Sequence, residues 1–223
     1  MSYYLALSIL SSIKAPQKKH SGAEARRLLS EINKKPLNES SFLREAGGRP
    51  YFREQEADFN ISHSGNVTAV SFAEGAGLRT GCDVELIRPR PTAAEIAKEY
   101  FSPAENKYLF SSGIFDEKRF YEIWTLKECF LKLRGLSVFD MAGAPSFVSD
   151  DARSIDKLAF CAPVSLPLSF GLYELNCYML AVVIEGALML PKIQWFSQAS
   201  FDCKMRAQIN AAPNPAQTVS PKR

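Results

Sequence analysis

The segment 78–86 is an apolar, strand-like run carrying two acids, in Gly81-Cys82-Asp83-Val84-Glu85-Leu86. Side chains alternate between the faces of a strand, so Asp83 and Glu85 share one face while Val84 and Leu86 take the other. A third acid, Glu128, lies in Trp124-Thr125-Leu126-Lys127-Glu128-Cys129-Phe130-Leu131-Lys132. This segment reads as a helix on which Trp124, Glu128 and Lys132 recur every four residues along one side. If the strand end and the helix meet, three carboxylates and an ammonium converge. Such a cluster repels itself unless a hard cation neutralises it, and an all-oxygen site suits Mg²⁺, with Mn²⁺ as the alternative. That equipment belongs to phosphoryl-transfer chemistry.

Composition removes several other classes. A formal charge of +3 over 223 residues is too mild to signal nucleic-acid binding. Two histidines, His20 and His63, exclude a His-rich metal site, and the five cysteines form no C-x-x-C pair. Odd, widely spaced cysteines fit a reducing cytoplasm. The start lacks the basic region of a secretory signal, and the longest apolar run, 179–190, is too short to span a bilayer and contains Glu185. The chain reads as a soluble, cytoplasmic protein with no membrane partner.

The order of elements gives an α+β fold of two lobes. Residues 3–9 read as a buried strand and 21–32 as a helix, with Ala25, Leu28, Leu29 and Ile32 on one side. Segment 59–62 alternates like a short strand. Segments 66–72 and 78–86 read as a hairpin joined through the glycines at 75 and 77. Arg88-Pro89-Arg90-Pro91 is a stiff break. Thr92 with Glu95, and Ser102 with Glu105, carry the capping-box pattern for helices reaching 100 and 109. The longest helix runs 120–134 and stops at Gly135. Strands are expected at 147–149, 158–160, 168–174 and 177–185. The recurrence of helix then hairpin suggests pseudo-duplicated halves, 1–90 and 91–210, each with a helix on a small antiparallel sheet. Residues 211–223 read as a loose tail.

One further segment, Asn60-Ile61-Ser62-His63-Ser64-Gly65, supplies small hydroxyls, an imidazole and a glycine turn suited to phosphate. Taken in order, N-I-S-H-S, G-C-D-V-E and W-T-L-K-E-C-F-L-K resemble the surfactin-type 4′-phosphopantetheinyl transferases. Gly48-Arg49-Pro50-Tyr51 and the segment 95–102 extend the likeness, which is good over 47–137. The resemblance implies that fold, and transfer of 4′-phosphopantetheine from coenzyme A to a serine of an apo acyl or peptidyl carrier protein. It implies Asp83, Glu85 and Glu128 as Mg²⁺ ligands, Glu128 as the base for the serine, and Lys132 as the group that stabilises or protonates the departing 3′,5′-ADP. It also implies that Arg49, Pro50, Tyr51, Ser62 and His63 hold the nucleotide end of coenzyme A, that Lys127 helps with the phosphates, and that Lys18 is a candidate for the 3′-phosphate. The N-terminal basic segment of the family is short here, with Lys18, Lys19, His20 and Arg26 its only counterparts.

Carrier domains are usually acidic, so Arg88, Arg90 and Lys98 are candidates for the docking surface, with Ile87, Ile114 and Phe115 at its centre. Both lobes lie in one chain, so a monomer is expected. Two other readings remain at this stage: a metal-dependent nuclease, which the missing basic stripe disfavours, and a non-catalytic relative that binds coenzyme A or a carrier.

Overall fold

The structure is a computed structural model that describes residues 2–9, 18–53, 56–148, 155, 166–188, 190, 192–195 and 203–211. The first sheet contains β1 (Ser2–Ile9), β4 (Ala57–Ser64), β5 (Val67–Glu74) and β9 (Lys192–Trp195), in the order β4-β5-β1-β9. The second contains β6 (Arg79–Leu86), β7 (Leu168–Leu175), β8 (Tyr178–Glu185) and β10 (Cys203–Ala211), in the order β10-β7-β8-β6. A small hairpin, β2 (Phe42–Arg44) and β3 (Pro50–Phe52), stands apart. The helices are α1 (Lys18–Asn33), α2 (Ala93–Tyr100), α3 (Pro103–Leu109) and α4 (Glu117–Arg134).

Strand alternation builds four layers. Leu5 and Leu7 of β1 meet Leu180 and Val182 of β8 between the two sheets. Ala6, one position out of phase, packs with Leu28 and Leu29 of α1 on the outer face of the first sheet. Met179, Ala181 and Val183 of β8 pack with Phe120, Ile123 and Leu126 of α4 on the outer face of the second. The order is therefore α1, first sheet, second sheet, α4, with strands buried on both faces as their near-continuous apolar runs require. The mixed α+β architecture expected from the sequence is present.

Two expectations about connectivity need correction. The segments 66–72 and 78–86 do not form a hairpin. β5 pairs antiparallel with β1 on one edge and β4 on the other, which leaves it no free edge. The chain then passes through Gly75 and Gly77, both at positive φ, and β6 joins β8 in the other sheet. The hairpin of the first half is β4–β5 and that of the second is β7–β8. β9 returns from the C-terminal half to pair in parallel with β1. Each half thus lends a strand to the other's sheet, and a cut near residue 90 does not separate the sheets.

Local signals fare better at helix ends. Ser102 and Glu105 form the expected reciprocal cap on α3, and Gly135 ends α4 in the left-handed conformation at φ 68°. Thr92 precedes α2 without a side-chain cap. No strand forms at 147–148, where the Phe147 N–H instead donates to Glu105 Oε1 at 3.1 Å. The expected strand at 158–160 and the tail at 212–223 lie outside the described residues.

Candidate active site

β6 and β4 lie side by side as the facing edges of the two sheets, and side chains take the place of a backbone ladder. Every second residue of β4 is a polar acceptor. The N–H of Thr80 donates to Asp58 Oδ2 at 2.7 Å, and that of Cys82 to Asn60 Oδ1 at 3.2 Å. The N–H of Val84 donates to Ser62 Oγ at 3.2 Å, and that of Leu86 to Ser64 Oγ at 3.0 Å. An edge strand with unpaired N–H groups is costly to bury, and this polar row satisfies them one by one. The period-2 polarity of Asp58, Asn60, Ser62 and Ser64 was the available signal, but the segment read as a short strand entering a polar turn.

The same hydroxyls fix the acids. Ser62 Oγ donates to Asp83 Oδ1 at 2.8 Å and Ser64 Oγ to Glu85 Oε2 at 3.1 Å. From the helix, Lys132 Nζ donates to Asp83 Oδ1 at 2.6 Å and to Ser62 Oγ at 2.8 Å, while Trp124 Nε1 donates to Glu85 Oε1 at 3.3 Å. Close approach of α4 to β6 makes these contacts possible. A Cβ at Gly81 would stand 2.5 Å from the Cys129 carbonyl oxygen, so only glycine admits the helix. Burial pushes the thiols of Cys82 and Cys129 up, which makes both inert packing groups.

The three carboxyls feel one another. Burial and then Asp83 push Glu85 upward, with Ser64 and Trp124 opposing. Burial, followed by Asp83, raises Glu128 to about 7, against the pull of Lys132 and Arg90. Burial disfavours charge on Lys132, yet Asp83 overrides it and holds the ammonium well above its ordinary value. Among the described residues no group of three or more His, Cys, Asp or Glu side chains is placed to hold a metal ion. Asp83 Oδ2, however, is buried without a hydrogen-bond partner. An unsatisfied carboxylate oxygen beside mutually repelling acids is a donor that suits a hard divalent cation such as Mg²⁺ or Mn²⁺.

The remaining expected site residues divide. Pro50 lines a cleft of about 540 Å³ on the α1 side of β4, together with Arg26, Leu29, Arg44, Phe59 and Ile61. His63 is exposed and alternates with Ser62, so it shares the face of Ile61. Tyr51 is half-buried in the β2–β3 hairpin. Lys18 opens α1, and its side chain is outside what is described.

Three of the residues expected to hold coenzyme A have internal partners. Arg49 is 5% exposed, and its guanidinium is consumed internally. It forms a fork onto Asp58 at 2.8 and 2.6 Å, and also donates to the carbonyls of Phe59, Thr80 and Lys132. It ties both sheets to the end of α4. Lys127 is 1% exposed and points away from the acids into the core, where Nζ meets Glu105 Oε2 at 3.1 Å and the Pro145 carbonyl at 3.1 Å. Ser62 is committed to Asp83, Val84 and Lys132.

Comparison with known proteins adds an independent line. Residues 79–172 match the model of the 4′-phosphopantetheinyl transferase superfamily. The chain is 32% identical over 118 residues to the 4′-phosphopantetheinyl transferase AcpT of Salmonella typhimurium, covering 50% of this chain and 60% of that protein. It is 31% identical over 132 residues to AcpT of Escherichia coli, covering 55% and 66%. The 4′-phosphopantetheinyl transferase psf-1 of Bacillus pumilus is 31% identical over 138 residues, covering 60% and 56%. The chain spans less than two thirds of the length of each of these relatives.

Proposed function

We propose that this chain, which belongs to the 4′-phosphopantetheinyl transferase superfamily, transfers 4′-phosphopantetheine from coenzyme A to a serine of an apo carrier protein. The observation that carries the reading is Asp83. It is buried, tied to Lys132 through one oxygen, and left without a partner at the other, beside Glu85 and Glu128.

In this reading the serine oxygen forms a bond to the β-phosphorus of coenzyme A. The bond from that phosphorus to the bridging oxygen breaks, and 3′,5′-ADP leaves with the electron pair. Glu128 accepts the serine proton. Burial and then Asp83 raise its pKa to about 7 while no cation is bound, and the cation would pull it down and keep the carboxylate ready to accept that proton. Lys132, paired with Asp83 at 2.6 Å, supplies a positive charge that stabilises the leaving diphosphate oxygen or a proton for it. Asp83, Glu85 and Glu128 would hold the divalent cation, which supplies Lewis-acid neutralisation of the diphosphate. The cleft lined by Arg26, Arg44 and Pro50, with His63 on the same face of β4, is suited to the nucleotide end.

The partner is an acidic carrier protein, and Ile114, 74% exposed on the loop before α4, offers it an apolar contact. All four residues of the site come from one chain, so the active form is a monomer. No helix among the described residues is long and apolar enough to cross a membrane, and we place the protein in the cytoplasm.

The test is mass measurement of a panel of apo carriers after incubation with the protein, coenzyme A and Mg²⁺. A gain of one phosphopantetheine on a carrier is expected from wild type and not from Glu128→Ala. Transfer by Glu128→Ala at the wild-type rate would refute the site. Nicking of supercoiled DNA without coenzyme A would support the nuclease instead.

A further inference from the structure

Arg90 presents a guanidinium with no hydrogen bond or ion pair among the described residues, beside a site where other cations are spoken for. Its backbone N–H donates to Glu117 Oε1 at 2.8 Å, which pins the loop between β6 and α2. Its Cζ lies 4.7 Å from the ring centroid of Trp124 and 6.0 Å from that of Phe120. The Trp124 indole N–H in turn donates to Glu85. Arg90 also acts electrostatically on Glu128, opposing the effect of burial and Asp83 there. Stacking on an indole engages the face of a guanidinium and leaves its in-plane N–H groups available. By contrast, Lys132 is committed to Asp83 and Ser62, Arg49 to Asp58 and three carbonyls, and Lys127 to Glu105.

Formal charge gives this free cation a task. Asp83, Glu85 and Glu128 against Lys132 leave two negative charges uncompensated. One divalent cation only balances that deficit, so a bound diphosphate makes the site net negative again and a further cation beside it would be favoured. A fork of planar N–H donors is the group best matched to phosphate oxygens.

We infer that Arg90 is a substrate-binding residue of this site, donating to the diphosphate oxygens of coenzyme A. This rests on the transferase reading above. Lys132 then faces the side of the diphosphate next to Asp83, and Arg90 the side next to Trp124, so the anion is held between two cations from different elements.

The experiment is calorimetric titration of coenzyme A into wild type, Arg90→Gln, Arg90→Lys and Arg88→Gln with Mg²⁺ present, with pantetheine as the phosphate-free probe. Arg90→Gln should weaken coenzyme A binding ~10–100-fold, the range for hydrogen bonds to a charged group. Arg90→Lys should fall between Arg90→Gln and wild type, and it keeps the test alive should Arg90→Gln fail to fold. Arg88→Gln, which removes an equal charge nearby, should change binding less than about 3-fold, as long-range screening predicts. Pantetheine should bind wild type and Arg90→Gln alike. Equal loss in Arg88→Gln, unchanged binding in Arg90→Gln, or a rise confined to the KM for the carrier would each overturn the assignment. Wild type that binds coenzyme A and charges no carrier would refute the transferase reading alone. Tight binding by wild type and Arg90→Gln together would refute only the role of Arg90.

Discussion

Two lysines of α4 stand little more than one turn apart, Lys127 buried and Lys132 half-buried, each beside a buried carboxylate, and their surroundings differ. Lys127 meets Glu105 at 3.1 Å with side chains 2% and 0% exposed. Lys132 meets Asp83 at 2.6 Å with side chains 29% and 4% exposed. Around Glu105 every oxygen is used: Oε1 accepts from the Phe147 N–H, and Oε2 from the Ser102 N–H as well as from Lys127. Around Asp83 one oxygen is left over. The first pair is closed and holds α3, α4 and the following loop together. The second is open, and in the proposed function its spare oxygen takes the divalent cation. Burial of an ion pair therefore does not by itself mark a site, and what separates these two pairs is the spare oxygen of Asp83.

The sharpest way to break this contrast is to remove each lysine. Lys127→Met should cost about 3–5 kcal/mol of stability, because Glu105 is left charged in the core without its counter-ion. Urea denaturation reads this directly. Lys132→Met should lower the transfer rate ~10²–10³-fold, the effect of losing one preorganised positive group, with a smaller loss of stability than Lys127→Met. The opposite ranking of the two variants in urea would show that the open pair is the structural one.

A divalent cation probes the open oxygen itself. Mg²⁺ at about 100 times its dissociation constant should stabilise the protein by about 2.7 kcal/mol through binding to the folded state alone. Thermal unfolding with and without Mg²⁺ measures it. Asp83→Asn should abolish the gain, and Glu105→Gln, although destabilised, should retain it. A gain that survives Asp83→Asn would place the cation elsewhere.

Much of the closed region was legible from local chemistry. Ser102-x-x-Glu105 announced a cap, and the same Glu105 goes on to receive Lys127. The direction of Lys127 was not legible. α4 is buried on nearly every side, from Phe120 and Tyr121 through Leu126 and Lys127 to Leu133. A helix without a wet face gives periodicity nothing with which to sort its polar residues. Lys127 borders Glu128 in the chain, yet its partner comes from another helix. The placement of Asp83 and Glu85 on one face of β6, and of Glu128 and Lys132 on one side of α4, was legible because alternation and four-residue spacing both hold locally. Strand pairing was not, since the glycine-rich link at 75–77 is compatible with a hairpin and only the prior occupation of both edges of β5 rules it out.

The polar row of β4 sharpens the comparison at smaller scale. Asn60 is 4% exposed and accepts from the Cys82 N–H. Asn60→Ala should cost about 1–3 kcal/mol by orphaning that buried donor. It should also weaken Mg²⁺ binding, since β6 carries Asp83 on the next residue. A loss of stability with unchanged Mg²⁺ affinity would make the row a mere seam between sheets and remove it from the site.

Glu24 on α1 supplies the zero of the scale, a pair near solvent where neither closure nor incompleteness should matter much. It accepts from Arg27 at 2.6 and 3.0 Å and from the Ser8 hydroxyl. The hydrogen bonds with Arg27 lower its pKa first, burial opposes them, and Ser8 adds to the lowering. A carboxyl whose folded pKa lies below its unfolded value binds protons more readily when unfolded. Its contribution is therefore present above the unfolded pKa and disappears as pH falls through the folded one. Arg27 is 41% exposed, so solvent screening limits the pair to less than ~1 kcal/mol. Glu24→Gln should thus trail wild type slightly in urea at neutral pH and match it once the pH falls below the carboxylate range. A gap as large as that of Lys127→Met, or one that persists in acid, would mean that exposure does not separate this pair from the buried ones.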